Sequence, residues 1–385
     1  MPKRVGFLYQ TMCDKDFIRR AIIKGSKGKR KRWDVKYVLE DVEKYTDKMY
    51  DLLTRRAYVP TKPREKLIYD PSSQKYRSIS VVPYFPDGIV HQLLVAAMEP
   101  VLMKNMHPNS CASVPGRGTK RARIKATRFI QGDPKGSKYG AELDVRKYYP
   151  SIPIARLMKA LERKIKDREF LLLVAVALLS YEGGQRAAMK HPFGLYGVIG
   201  NARGLCIGFF ICQWLANFYL EGLDWFTAKQ PGVKYLIRYM DNISIFGPNK
   251  KQLHKARQEI ARYMEEVLDV RMKGNWQVFP ISKRLFSIVG YRIGREVIIL
   301  RKRNFLRLAR QCRRVQKSMN AGRTIAFKTA SGLLSRIGQL KHCDSRTIRE
   351  KYVAPIGINK LKEVVRRESQ RQQGTGQCVL AGAQT

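Results

Sequence analysis

Two carboxylates in this chain lie where acids are costly. Asp144 falls in Glu-Leu-Asp-Val-Arg-Lys-Tyr-Tyr-Pro-Ser-Ile and Asp241 in Arg-Tyr-Met-Asp-Asn-Ile-Ser-Ile-Phe. Each follows a β-rich run, where an uncompensated charge would be expensive to bury. Taken alone, an Asp at a hairpin tip is an ordinary turn residue. Two of them, with a Gly-punctuated loop and an apolar helix pattern in between, point to shared chemistry. Hard divalent cations such as Mg²⁺ take oxygen ligands from one or two carboxylates plus substrate phosphates. Two such ions roughly 4 Å apart can activate an attacking hydroxyl and stabilise a leaving phosphate.

The rest of the chain has the opposite charge. Its 385 residues hold 75 Lys and Arg against 31 Asp and Glu, a formal charge of +44. Such an excess fits a polyanionic partner. Hydrophobic residues make up 44% of the chain, so intrinsic disorder is excluded for most of it. The length suggests roughly two or three domain-sized units. Cys13, Cys111, Cys206, Cys212, Cys312, Cys343 and Cys378 form no C-x-x-C and no zinc spacing with histidine, which reads as reduced thiols in a cytoplasmic protein. The N-terminus lacks the apolar region of a signal peptide. The longest apolar run, Phe170 to Leu179, is about half of what a bilayer span needs. No membrane association is expected.

The elements that must position the acids can be read from periodicity. Residues 24–32 hold six basic residues and two glycines, a solvated arm. Val35, Val38, Leu39, Val42, Tyr45, Met49, Leu52 and Leu53 then recur at helical spacing. Two strands around 71–74 predict a basic hairpin. An apolar helix follows from residue 87 and ends near Pro100 or just beyond it. A Gly/Pro turn then leads into a basic helix. A strand over 139–149 is expected to stop at Pro150, with helices over 154–182 and a Gly-punctuated loop over 183–208. Residues 209–226 predict a buried helix and 233–247 two strands around Met240-Asp241. A helix over 250–268, a strand near 276–280 and a β pair over 285–301 come next. Beyond residue 303, Phe305, Leu308, Cys312, Val315 and Met319 line one helix face. Two more helical segments near 329–342 and 357–369 complete a three-helix unit, and the Gln- and Gly-rich tail from 372 predicts disorder.

In that order the residues resemble a bacterial reverse transcriptase, most similar to the diversity-generating retroelement type, with palm and fingers like those of group II introns. The resemblance runs from about Trp33 to Glu368. It implies an α+β right-hand polymerase fold: a basic N-terminal arm and helices (1–60), fingers (61–140), a palm of antiparallel sheet plus helices (141–300, with a fingers insertion about 153–205), a helical thumb (301–370) and a disordered tail (371–385). Arg77 in Lys-Tyr-Arg-Ser-Ile is similar to a fingers residue that contacts the incoming triphosphate. Asp144 matches a metal ligand, with the Val145 carbonyl beside it, and Tyr149 the aromatic that blocks a ribose 2′-hydroxyl. Ile207, Gly208 and Gln213 resemble the segment that positions template and nucleotide. Tyr239-Met-Asp241-Asn242 sits where the family carries Tyr-x-Asp-Asp. Lys273 resembles a lysine near the triphosphate, and Gly290-Tyr291 the primer grip. Lys29, Arg30, Arg117, Lys120, Arg307, Arg310, Arg314 and Lys317 would hold nucleic acid through its phosphates.

The resemblance implies RNA-directed DNA synthesis: a primer 3′-hydroxyl attacks the α-phosphate of a dNTP, with Mg²⁺ (or Mn²⁺) as cofactor. Template RNA, an RNA/DNA hybrid, dNTPs and an accessory RNA-binding protein are the implied partners. Ile207 stands where many reverse transcriptases have Gln, which implies loose nucleotide selection or simple apolar packing. Three residues depart from the pattern. Asn242 replaces the second Asp and brings no negative charge, with Glu142, on the same strand face as Asp144, either a helper or a surface ion-pair partner. Cys212 replaces a Ser, and Gly88 stands where relatives carry Arg. Three functions follow: a retroelement polymerase, an antiviral-defence reverse transcriptase with little template dependence, and an RNA-binding scaffold with an impaired site.

Overall fold

A computed structural model describes residues 4–70, 75–180 and 199–381, apart from the side chains of residues 369 and 371–381. The expected hairpin turn at 71–74, most of the Gly-punctuated loop and the last four residues of the tail lie outside the described residues. The chain divides into two compact units, Met1–Arg121 with Ala141–Val278, and Ala122–Gly140 with Phe279–Thr385.

In the first unit, short acidic and amide side chains start the helices. Asp14 accepts from the Phe17 N–H, Asp167 from Phe170, and Asn249 from Gln252, each satisfying an amide that the first helical turn leaves unpaired. The same chemistry corrects one expectation. The periodic run after Asp34 is two helices, Trp33–Glu40 and Val42–Thr54, because Asp41 turns its carboxylate to the Lys44 N–H at 3.0 Å and caps a new start. The apolar helix Ile89–Met103 runs through Pro100. The buried segment after residue 209 breaks at Leu220 into Phe210–Tyr219 and Glu221–Ala228. The first three residues of the expected basic arm (24–26) are helical, with Gly25 and Ser26 buried at the end of Lys15–Ser26.

Strands β1 (Arg64–Asp70) and β2 (Lys75–Val81) form a hairpin with most residues exposed. An isolated two-stranded hairpin is marginal in water. This one is tied down at its end, where the Ser80 N–H donates to the Ile207 carbonyl at 2.7 Å. Strand β3 (Tyr139–Asp144) ends five residues earlier than its apolar pattern predicts, and Tyr148–Ser151 forms a helical turn that contains Pro150. Strands β4 (Tyr235–Tyr239) and β5 (Asn242–Gly247) pair antiparallel, and with β3 and β6 (Gln277–Pro280) they form a sheet in the order β4-β5-β3-β6. Leu236, Ile237, Ile243, Ile245 and Phe246 are buried within it. Helix Glu221–Ala228 packs on β4, and Lys250–Glu266 on β5.

Arg238, in the middle of apolar β4, is fully buried. Its Nε donates to Asp224 Oδ1 at 2.7 Å, Nη1 to Asn217 Oδ1 at 2.8 Å, and Nη2 to Ser110 Oγ at 2.8 Å. Nη1 also donates to the Met240 carbonyl at 3.0 Å and Nη2 to the Asn217 carbonyl at 3.0 Å. Burial works against the guanidinium charge, yet Asp224 outweighs it and holds the pKa above its ordinary value.

The second unit contains strands β7 (Phe286–Ile288), β8 (Tyr291–Ile293) and β9 (Ile298–Leu300) in an antiparallel meander, three strands rather than the expected pair. The extra reversal comes at Gly294–Val297, where the Gly294 N–H donates to the Val297 carbonyl. Arg295 projects from this turn and donates to Ser137 Oγ at 2.7 Å and the Pro134 carbonyl at 3.0 Å. Helix Lys302–Asn320 buries Leu308, Ala309, Cys312 and Val315, the expected face. Helices Phe327–Gln339 and Ile358–Ala381 pack together. The last of these continues to Ala381 across the stretch where composition predicts disorder.

Removing Asp224 leaves a buried guanidinium uncompensated, which costs about 3–5 kcal/mol. Urea unfolding of Asp224→Ala is therefore expected to show a loss of that size. Arg238→Met combined with Asp224→Leu is expected to lose much less, because no charge is left unpaired.

Candidate active site

The site begins at the β4–β5 tip. Tyr239 pairs with Asn242, so Met240 and Asp241 form a two-residue turn, as the sequence predicts. Met240 takes a positive φ of 55°, a left-handed conformation that costs a side-chain-bearing residue about 1–2 kcal/mol. The Arg238 guanidinium holds the Met240 carbonyl from beneath, offsetting that cost and fixing the residue before Asp241. Sequence reasoning missed this arginine. The available signal was a lone cation in Tyr-Leu-Ile-Arg-Tyr, a strand otherwise apolar on both faces.

Asp144 reaches the same place from β3, the neighbour of β5. The Val145 N–H donates to the Asp241 carbonyl at 3.3 Å, joining the two acid-bearing segments through the main chain. Lys273 comes alongside: its N–H donates to the Asp144 carbonyl at 2.8 Å, and its Nζ pairs with Asp144 Oδ2. Asp144 Oδ1 is buried without a hydrogen-bond partner. Burial, followed by repulsion from Asp144, pushes the Asp241 carboxyl up to about 6, and Lys273 opposes that rise. Two acids that repel at close range and one orphaned carboxylate oxygen make a site short of positive charge. Lys273, expected beside a triphosphate, here supplies part of that charge to Asp144.

Among the described residues, no group of three or more His, Cys, Asp or Glu is gathered for a metal ion. What is gathered is a carboxylate pair with the Val145 main chain between its members. That set consists of hard oxygen donors, the kind that holds Mg²⁺ together with a substrate phosphate. Asn242 is exposed, and its Nδ2 donates to Asp241 Oδ1 at 3.3 Å. It orients the acid but adds no charge.

Several other expected residues converge in the same unit. Tyr149 is half-buried, and its hydroxyl is pushed up to about 12 by burial first and then by Cys212 and Asp241. It therefore stands against both the apolar helix and the acid pair. Gly208 has φ +117°, and a Cβ there would overlap the Ser80 carbonyl. Only glycine lets the Ile207-Gly208 segment lie this close to β2. Gln213 is exposed on a helix that buries Ile211, Cys212, Trp214 and Leu215, so its amide is presented outward.

The remaining candidates divide. Arg77 is exposed and paired with Asp70 across the hairpin at 3.1 Å. Lys29, Arg30 and Lys120 are exposed. Arg117 is not a free cation, since its Nη1 donates to the His107 and Ser110 carbonyls at 2.7 and 2.8 Å and braces the loop before the basic helix. In the second unit, Gly290 has a positive φ at the β7–β8 turn. Tyr291 is buried, with its hydroxyl donating to the Gln339 carbonyl at 3.1 Å. Arg307, Arg310 and Arg314 share a cleft of about 340 Å³ with Arg336, while Lys317 is exposed further along the same helix. Among the described residues, no helix is long and apolar enough to cross a membrane.

Residues 62–277 match the family model described as "Reverse transcriptase (RNA-dependent DNA polymerase)". The chain is similar to Protein YkfC of Escherichia coli, 26% identical over 272 residues that cover 64% of this chain and 68% of that protein. It is also similar to an uncharacterized 91 kDa protein in the cob intron of Schizosaccharomyces pombe, 28% identical over 143 residues, 37% of this chain and 16% of that one. Among solved structures it resembles telomerase from Candida albicans in complex with a fragment of telomeric RNA, with a TM-score of 0.42, 11% identity and coverage of 81% of this chain. It also resembles apo telomerase from Candida tropicalis, with a TM-score of 0.39, 11% identity and coverage of 63% of this chain. The chain spans about half the length of those two structures, 56% and 55%. Its α+β fold is that of a right-hand polymerase. With more than half of its length inside the family model, the chain belongs to the reverse transcriptase family.

Proposed function

We propose that the protein is an RNA-directed DNA polymerase of a bacterial or prophage retroelement of the diversity-generating type, extending a primer 3′-hydroxyl with dNTPs on an RNA template. The observation that carries this reading is the convergence of Asp144, with an unpartnered buried oxygen, and Asp241, with its raised pKa, at the end of the central sheet. Asp144, Asp241 and the Val145 carbonyl would hold Mg²⁺ or Mn²⁺, which when bound supplies charge neutralisation for phosphoryl transfer.

The chain's own residues do the positioning. Tyr149 stands where a ribose 2′-hydroxyl would clash, and Gln213 presents its amide to template or nucleotide. Ile207, aliphatic and half-buried, offers no polar check on the incoming base, which supports error-prone synthesis. Lys273 can pass from Asp144 to a triphosphate once other positive charge arrives. The basic stretches grip template RNA and the RNA/DNA hybrid through phosphates, with a salt-dependent affinity. An accessory RNA-binding protein would complete such a system. Exposed Asn242 favours a second reading, a scaffold that binds RNA with an impaired site.

Primer extension on an RNA template separates the two readings. Asp241→Ala is expected to lose at least about a hundredfold in rate, the scale of one lost electrostatic group at a reacting phosphate, while Asn242→Asp is expected to lower the Mg²⁺ concentration needed. Incorporation equal in parent and Asp241→Ala would remove this site from the chemistry. No incorporation by the parent with rescue by Asn242→Asp would establish the scaffold reading.

The metal-free protein also makes a pH prediction. Below pH 6 the Asp241 carboxylate gains a proton that an Mg²⁺ ligand must give up. Apparent Mn²⁺ affinity, measured by paramagnetic relaxation of water, is therefore expected to fall steadily from about pH 6 downward, rather than from near pH 4, where an ordinary carboxylate titrates.

A further inference from the structure

A cleft of about 480 Å³ lies in the first unit, lined by none of the candidate active-site residues. It opens between helix Ile154–Glu162, the helix break at Leu220, and the C-terminal end of Lys250–Glu266. One wall is cationic. Ile154, Leu157, Met158 and Leu161 turn to the core, which leaves Arg156, Lys159 and, at the helix C-cap, Arg163 on the other side, with half-buried Lys164 beside them in the cleft lining. Arg156 is fixed by donating to the Glu266 and Val267 carbonyls at 2.9 and 2.8 Å. Lys164 pairs with Glu221 Oε1 at 2.9 Å and sits 5.5 Å from the Phe218 ring centre. Lys159 and Arg163 are exposed and have no ion-pair partner among the described residues.

Across from them stands the half-buried ring of Tyr263, while Phe218 lies buried at the floor beneath Lys164. Phe226 stacks on Tyr263 with centroids 4.5 Å apart, which fixes the plane of that ring. Close approach is built in as well, because Gly222 leaves space that a Cβ would take from the Tyr263 hydroxyl, 2.8 Å away. The one acid in the cleft, Glu221, pairs with Lys164 through Oε1, while its Oε2 is buried without a hydrogen-bond partner. Like charges one helical turn apart cost helix stability, and here they face apolar rings across a cleft of small-molecule size. An anion that also carries a flat ring satisfies both walls.

We propose that this cleft binds a nucleotide, with its phosphate on Lys159 and Arg163 and its base against the open side of Tyr263. The nucleotide is either free or a single residue turned out of single-stranded RNA. Base–aromatic contact beside cations is how unpaired nucleic acid is held, whereas an acidic peptide would use the cations and leave the rings idle.

Calorimetric titration in EDTA at constant ionic strength isolates this site from one that needs a divalent cation. The parent is expected to bind AMP at least tenfold more tightly than inorganic phosphate. Lys159→Glu combined with Arg163→Glu, both at exposed positions, is expected to weaken AMP binding at least tenfold while leaving primer extension unchanged. Tyr263→Ala is expected to abolish the preference for AMP over phosphate. Single-stranded oligo(A) that displaces AMP identifies RNA as the source, and oligo(A) that does not identifies the free nucleotide. Equal AMP affinity in parent and double variant overturns the proposal, as does displacement of AMP by an oligoglutamate peptide.

Discussion

The buried ion pair between Arg238 and Asp224 is the constraint on which the first unit turns. An unpaired guanidinium at this depth would not be tolerated, so the arginine gathers what it needs. It takes Asp224 from one helix, Asn217 from the helix before it, and Ser110 from a loop more than a hundred residues earlier. Its own main chain joins that loop again, with the Arg238 N–H donating to the Asn109 carbonyl and the Cys111 N–H to the Arg238 carbonyl. The remaining bond goes to Met240. The residue next to Asp241 is thus held by a network that reaches across the whole layer behind the sheet, and the strained turn that presents the acid is supported from below.

Against that rigid backing the acid pair is electrostatically unfinished. Most carboxylates in a chain of charge +44 can find a cation, and many here do so at the surface. Asp144 has only half a partner: Lys273 on one oxygen and nothing on the other. Asp241 meets burial and a like charge before it meets any cation. The basic excess elsewhere does little to relieve them, since water and salt screen exposed charges that lie more than about 10 Å away. Asn242 beside Asp241 adds no third negative charge to this cluster, so the repulsion stays lower and the pull on a cation weaker than with an acid there.

Much of this was legible from residue order. The hairpin tip at Met240-Asp241, the strand that carries Asp144 (though not its end), the face Leu308-Cys312-Val315 and the basic helix after Gly118 follow from periodicity and turn chemistry. What was misread was decided by competition between local signals. Asp41 broke a helix that the apolar spacing would have continued, and a turn at Gly294 divided one expected strand pair into three strands. Arg117, expected at nucleic acid, and Tyr291, expected in a primer grip, also donate to backbone carbonyls of their own units. Sequence marks a cation or a ring as available, but not which neighbour will claim it.

By itself the sequence determined the residue types that chemistry needs and the local elements that carry them, because hydrophobic period and turn residues act over a few neighbours. Only the tertiary structure decided that Asp144, Asp241 and Lys273 meet, that one oxygen of Asp144 goes unsatisfied, and that Arg238 lies beneath them. Those facts depend on strand order and on partners separated by up to 129 residues. The physical reason is that burial and charge pairing are properties of the folded interior, and no local pattern in the chain encodes them.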